Sequence, residues 1–160
     1  MKRYSNKKFV IDADSLKVIN PIFLNKNCII TPQKKEFEKL FGLEATEKNV
    51  KDMAEKFNCI ILLKGPTDII CSREDCRINI TGNQGMTKGG TGDVLAGLVA
   101  ALACKNDLYL SACAGAFING LAGDRLKKKV SFYYNATDLA DEIPKVLKEL
   151  NKHSRPKLHD

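Results

Sequence analysis

Residues 82–93 read Gly-Asn-Gln-Gly-Met-Thr-Lys-Gly-Gly-Thr-Gly-Asp, and the following Val94 to Cys104 are almost wholly apolar. Glycines cluster where a backbone takes positive φ or comes close to another group. Here the cluster opens directly into a run with the character of a buried helix. That order leaves free N–H groups at a helix N-terminus, a ready site for phosphate. One carboxylate, Asp93, stands at its mouth. An anion cradle beside a single acid is what phosphoryl transfer onto a hydroxyl requires: the amides of Gly90, Thr91 and Gly92 hold the phosphoryl group, and Asp93 orients or deprotonates the alcohol. The plainer alternative is a glycine-rich turn joining a strand to a core helix, with Asp93 as the helix N-cap. Lys88, inside the loop, either balances phosphate charge or points to solvent.

Two other phosphate motifs are excluded. Gly85 and Gly90 have P-loop spacing, but Thr91 and Gly92 follow where Lys and Ser/Thr are needed. Gly90 and Gly92 begin a dinucleotide fingerprint that fails at Leu95.

Upstream of the loop, Lys8–Asp12 reads as a buried strand ending in acids, and Asp12-Ala13-Asp14 turns toward a short helix. Cys28–Thr31 is a second strand, stopped by Pro32. Lys34–Phe41 is a short amphipathic helix closed by Gly42. Thr46 N-caps a helix through Phe57, with Val50, Met53, Ala54 and Phe57 on one face. Cys59–Leu63 is a strand ended by Lys64-Gly65-Pro66, and Asp68–Ser72 with Arg77–Thr81 forms a hairpin. Downstream, Gly92–Cys104 and Leu108–Lys127 are helices rich in small residues. Thr137–Leu150 is a last helix, kinked or broken at Pro144.

Strands alternating with helices predict a three-layer α/β domain with a mainly parallel sheet. In such sheets ligands lie beyond the carboxyl ends of the strands, so Asp12, Asp14, Thr31, Lys64 and Gly82–Asp93 are expected to share one cleft. Asp12 and Asp14 read more readily as loop-capping acids than as catalytic or Mg2+ ligands. Lys64 is either a solvated strand end or a nucleotide contact.

The chain has 160 residues, 44% of them hydrophobic and 28% charged, which suits one domain over residues 1–150 with a flexible basic tail over 151–160. No stretch reaches the ~20 apolar residues of a membrane span, and no apolar segment follows Met1-Lys2-Arg3-Tyr4, so a cytoplasmic protein without a membrane partner is expected. The six cysteines (Cys28, Cys59, Cys71, Cys76, Cys104, Cys113) form no Cys-x-x-Cys and read as reduced core thiols. Cys71 and Cys76 offer half a metal site with no His nearby, and His153 and His159 lie in the polar tail, so no metal ligand is assigned. The net charge is +7, but tryptophan is absent and the Lys runs read as solvated helix faces. A phosphate-rich small ligand suits that field, and no nucleic-acid partner is expected.

With these residues in view, four segments resemble one family in the right order. Val10–Leu16 is similar to V-x-D-A-D-A-L, and Ile30–Glu36 to T-P-H-x-x-E. Leu62–Ile70 is similar to a strand–K-G–hairpin, and Gly82–Asp93 to G-N-x-G-M-A-x-G-G-T-G-D. The family is the ADP/ATP-dependent NAD(P)H-hydrate dehydratase of the ribokinase-like superfamily, and the likeness covers about residues 8–125. The resemblance implies phosphorylation of the C6 hydroxyl of an NAD(P)H hydrate by ADP or ATP, with Mg2+, followed by loss of phosphate. It implies that Lys64, Gly65, Pro66, Thr67, Asp68 and Gly92 line the adenine nucleotide, with Asn83 and Gly85 on the nucleotide side. Gln33 and Asp93 would face the hydrated dinucleotide, and Asp93 would be the base. Gln33 stands where the family carries His, so that position can hydrogen-bond but cannot titrate near neutral pH. Lys34 and Lys35 replace a common Pro-Gly.

The family's domains are longer, and this chain starts where the second half of the fold would start. The resemblance therefore implies a partial domain: a fragment, a truncated product or one part of a split enzyme. Its exposed sheet edge favours a homo-oligomer or association with a missing N-terminal half, and weak or no turnover is expected from the chain alone. Two other readings stand beside the dehydratase: a small-molecule kinase of hydroxymethylpyrimidine or hydroxyethylthiazole type, and an inactive nucleotide-binding fragment.

Overall fold

In the computed structural model, which describes residue 4 and residues 6–154, the middle of the molecule is strand β2 (Cys28–Ile30), buried at every residue. An apolar strand with no polar face is suited to a sheet covered on both sides. β2 pairs in parallel with β1 (Phe9–Ile11) on one side and β3 (Ile60–Leu63) on the other. Antiparallel β4 (Asp68–Cys71) and β5 (Cys76–Asn79) complete a mixed five-stranded sheet in the order β1-β2-β3-β4-β5. The parallel pairing is thus confined to β1–β3; the hairpin connection leaves too few residues between β4 and β5 for a crossover.

One face of the sheet, with Ile30, Ile61, Leu63 and Cys71, packs against α1 (Asp14–Val18), α2 (Lys34–Phe41) and α3 (Glu47–Phe57) through Leu16, Phe37, Val50 and Ala54. The other face, with Ile29, Ile60, Leu62 and Ile70, packs against α4 (Thr91–Ala103) and α5 (Leu108–Val130) through Leu95, Val99, Ala112 and Ala116. A third apolar cluster joins α5 to α6 (Ala136–Ser154) through Ile118, Ala122, Leu126, Leu139, Ile143 and Val146. The three layers and the ordering of the elements are those expected from the sequence.

Local signals explain most boundaries. Thr46 accepts a hydrogen bond from Asn49 N at 3.2 Å and starts α3. Gly42, at φ 68°, ends α2, a conformation that costs glycine little. Asp107 caps α5 through Leu110 N at 2.9 Å, while Lys127, Lys128 and Lys129 occupy its last turn, where cations complement the helix dipole. α6 runs through Pro144 and past Leu150 to Ser154, so the segment expected as tail begins in helix; residues 155–160, including His159, lie outside the described residues. Two 3-10 turns, Pro21–Phe23 and Gln84–Met86, have no counterpart in the expectations. Among the described residues no helix is long and apolar enough to cross a membrane.

The cysteine expectation needs two corrections: Cys104 is exposed and Cys113 only half-buried rather than core, and one pair is oxidised. Cys71 and Cys76 are joined by a disulfide, because the β4–β5 register sets them directly opposite each other. Their sequence spacing alone does not reveal that register. Cys28 and Cys59 are free and buried, as expected, and burial pushes the Cys59 thiol up to about 12.

Candidate active site

Parallel pairing brings the carboxyl ends of β1, β2 and β3 to one rim of the sheet. Asp12 follows β1, Gln33 follows β2, and Lys64 follows β3; Gln33 and Lys64 continue the parallel pairing as an isolated bridge. The Lys64 ammonium donates to Asp12 Oδ1 at 2.6 Å, and the two side chains are only 14% and 12% exposed. The residue after Asp12, Ala13, sits at φ 52°, ψ −131°. L-residues rarely adopt that conformation, and it persists only where the surroundings impose it.

The N-terminus of α4 lies against this pair. A Cβ placed on Gly92 would stand 3.5 Å from Lys64 Nζ and 3.9 Å from Asp12 Oδ2, so the backbone approaches the charges closely. The helix N-cap is Gly90, at φ 88°, with no side-chain cap; Asp93 is therefore not the cap but a first-turn acid. Thr91 N reaches Lys88 O only at 3.4 Å, and the N–H groups of Gly92 and Asp93 have no protein acceptor among the described residues. Asp93 is exposed and makes no side-chain hydrogen bond or ion pair among them. A lysine ammonium, open helix N–H groups and an unengaged carboxylate are thus grouped at one helix end, where the dipole favours an anion.

The other expected site residues fall into two further groups. At the tip of the β3–β4 connection, Gly65, Pro66 and Thr67 are exposed. Asp68 accepts from Gly65 N at 3.1 Å and from Asn79 Nδ2 at 2.9 Å. Burial pushes its carboxyl above the usual range, against the pull of those hydrogen bonds and of Lys64. Asp68 therefore shapes the turn. On the far side of the glycine loop, Asn83 Oδ1 accepts from Gly85 N at 3.0 Å and from the Tyr134 hydroxyl at 2.8 Å. Thr91 Oγ1 lies 2.6 Å from Met86 O and 2.9 Å from Lys88 O, so its hydroxyl is turned into the loop. Lys88 is exposed, but its ammonium is not free for phosphate: it donates to the carbonyls of Phe132 and Tyr134. Asp14 is paired with Lys17 on the exposed side of α1, away from Lys64, and Thr31 is wholly buried with its hydroxyl 3.5 Å from Ile11 O. The single cleft expected from topology reduces to Asp12, Gln33, Lys64 and the α4 N-terminus.

With this geometry goes a match of residues 1–145 to the family model described as NAD(P)H-hydrate dehydratase. The chain belongs to that family. It is 51% identical, over 143 residues, to the bifunctional NAD(P)H-hydrate repair enzyme Nnr of Methanocaldococcus jannaschii, a match that takes in 88% of this chain and 28% of that protein. The solved ADP/ATP-dependent NAD(P)H-hydrate dehydratase of Bacillus subtilis, co-crystallized with ATP/Mg2+ and soaked with CoA, superposes with a TM-score of 0.77 at 25% identity, over 89% of this chain and 56% of that one. A ribokinase-like superfamily protein of Enterococcus faecalis superposes with a TM-score of 0.80 at 27% identity, over 89% of this chain and 52% of that one. The fold is accordingly ribokinase-like, and the chain spans about half or less of the length of these relatives.

Sequence reasoning passed over the residues that brace the loop of this dehydratase-family site. Asp124 accepts from Gly82 N and from Asn83 Nδ2, both at 3.0 Å; its position as the only acid between Asp107 and Asp138, directly after the small residues Ala122-Gly123, was the available signal. Tyr134 has no local signal, since its partner Asn83 lies 51 positions away. The same holds for Ala136, whose Cβ would stand 2.9 Å from a Cβ on Gly90.

Proposed function

We propose that this chain carries the nucleotide-binding and acid–base side of an ADP- or ATP-dependent dehydratase acting on hydrated NADH or NADPH. One observation carries the reading. The Lys64 ammonium, held by Asp12, lies against the N-terminus of α4, where the N–H groups of Gly92 and Asp93 lack protein acceptors. The names of the relatives point the same way.

In this reading the open amides of Gly92 and Asp93 and the Lys64 ammonium receive the transferring phosphoryl group, the Thr91 N–H expected beside them being turned to Lys88 O, and Gly65, Pro66, Thr67 and Asp68 flank the rest of the nucleotide. Each such amide contributes about 3 kcal/mol when aimed at developing negative charge. Asp93 takes the proton of the C6 hydroxyl as its oxygen bonds to phosphorus and the bond to the nucleotide breaks. The C6–O bond then breaks with phosphate carrying the electron pair, a proton leaves C5, and the ring double bond is restored. Gln33, exposed at the N-cap of α2, offers an amide to the dinucleotide. Asn83 and Gly85 serve the nucleotide through the shape of the loop. Mg2+ would enter with the phosphates, whose hard oxygens it prefers. The β1 edge pairs with β2 alone; association there, as a homo-oligomer or with an N-terminal half-domain, belongs to the same proposal and is read by sedimentation.

The test is incubation of the chain with hydrated NADH, Mg2+ and ADP or ATP, following the reduced-nicotinamide absorbance and, in parallel, ADP binding. The wild-type chain alone restores the absorbance only weakly; Asp93→Asn binds ADP within about twofold of wild type but loses that residual restoration, because only the proton acceptor is gone. A stable phosphate ester with no restored absorbance would replace the dehydratase with a kinase.

A further inference from the structure

The Tyr134 hydroxyl has no packing reason to exist. The residue is 3% exposed, and a phenylalanine ring would fill the same volume. A buried phenol needs a partner, and here the partner is not scaffold but the glycine loop: Asn83 Oδ1 at 2.8 Å. That oxygen also takes Gly85 N at 3.0 Å, while the amide end of Asn83 is held by Asp124. The phenol ring lies so close to Gly85 that a Cβ there would stand 2.7 Å from it. The Tyr134 carbonyl takes Lys88 Nζ at 2.8 Å, and the same ammonium sits 5.2 Å from the ring centroid. Beyond, Ala136 abuts Gly90, the N-cap of α4. From residue 83 to residue 90 the loop is moulded on the α5–α6 connection.

We propose that Tyr134 is a positioning residue for this site: through Asn83 and Gly85 its phenol fixes the loop that aims the α4 amides at an anion. The proposal rests on the reading of that helix end as the nucleotide cradle. Tyr134 touches no reacting group; its effect is preorganisation of donors whose value depends on being in place before the ligand arrives.

Tyr134→Phe removes the hydroxyl and keeps the ring. Amide hydrogen exchange is measured across residues 83–93 and across the α5 core, together with the dissociation constant for ADP, in wild type, Tyr134→Phe, Asn83→Ala and the double variant. One neutral hydrogen bond corresponds to about a fivefold effect. Loop amides are expected to exchange about fivefold faster in Tyr134→Phe while α5 amides are unchanged, and ADP to bind about fivefold more weakly. Because Tyr134 acts through Asn83, adding Tyr134→Phe to Asn83→Ala should change neither quantity further. Unchanged loop exchange, acceleration spread equally over α5, or faster loop exchange with unaltered ADP binding would each overturn the proposal. If the wild-type chain binds no ADP, the cradle reading fails by itself, and the exchange pattern with its double-variant comparison still decides whether Tyr134 sets the loop.

Discussion

Glu142, on α6, is 1% exposed and surrounded by cations: Arg125 Nε at 2.8 Å, Lys129 Nζ at 2.6 Å and Lys145 Nζ at 3.0 Å. Burial alone would push its carboxyl up, but the hydrogen bonds from Lys129, Lys145 and Arg125 outweigh it and hold the group at about 2, against an ordinary 4.5. That gap is equivalent to about 3 kcal/mol of folding stability at neutral pH. It is an upper bound, since Lys129 and Lys145 are 48% and 57% exposed and water screens them. The sign follows from a carboxyl depressed on folding: the contribution is fully present above about 4.5 and is lost as pH falls through the folded value near 2. Glu142→Gln leaves three cations around a neutral amide, so at pH 7 the variant should lose up to about 3 kcal/mol, with a fall in Tm of roughly 6–12 °C. It should also decline less than the wild type between pH 4.5 and 2, since Glu149 and Asp14, also held below the usual range by Arg125 and Lys17, keep their own share. Urea unfolding followed by circular dichroism at pH 7, 4.5 and 3 reads both. A variant within about 0.5 kcal/mol of wild type at pH 7, or one declining in acid in parallel with it, would refute the reasoning. The consequence extends to the site, because α6 begins with the Ala136 that abuts Gly90.

Gly115→Val should destabilise by about 2 kcal/mol, since even its Cβ would stand 2.5 Å from Val99 Cγ2 between α4 and α5. Gly97→Ala, on the open side of α4 with nothing within 4 Å, should instead stabilise by about 1 kcal/mol; chemical denaturation of both variants checks the pair. Replacing Cys71 and Cys76 together by Ser should cost about 2 kcal/mol, the closure entropy of so short a loop, and a reductant should then no longer shift the unfolding curve. Ala13→Gly should stabilise by about 1 kcal/mol by relieving the residue at φ 52°, read as a higher Tm.

The sequence by itself determined the elements and the course of one loop. Thr46, Gly42 and the apolar spacing of Val50 and Ala54 act within a few positions of themselves, so α2 and α3 were legible to the residue. The glycine loop running into α4 was legible for the same reason, as was Asp93 at its mouth. Tertiary structure decided what those parts do together. Asp12 and Lys64 are 52 positions apart and meet only because two parallel strands end at the same rim. Asn83 finds Tyr134 and Asp124 only once α5 and α6 are packed. Packing also turned Lys88 from a candidate phosphate ligand into a brace for the α5–α6 connection. The disulfide depended on strand register rather than on the spacing of its cysteines. Local patterning is set by contacts within about one helical turn or one pleat, whereas a site is assembled from groups whose proximity depends on the packing of the whole chain.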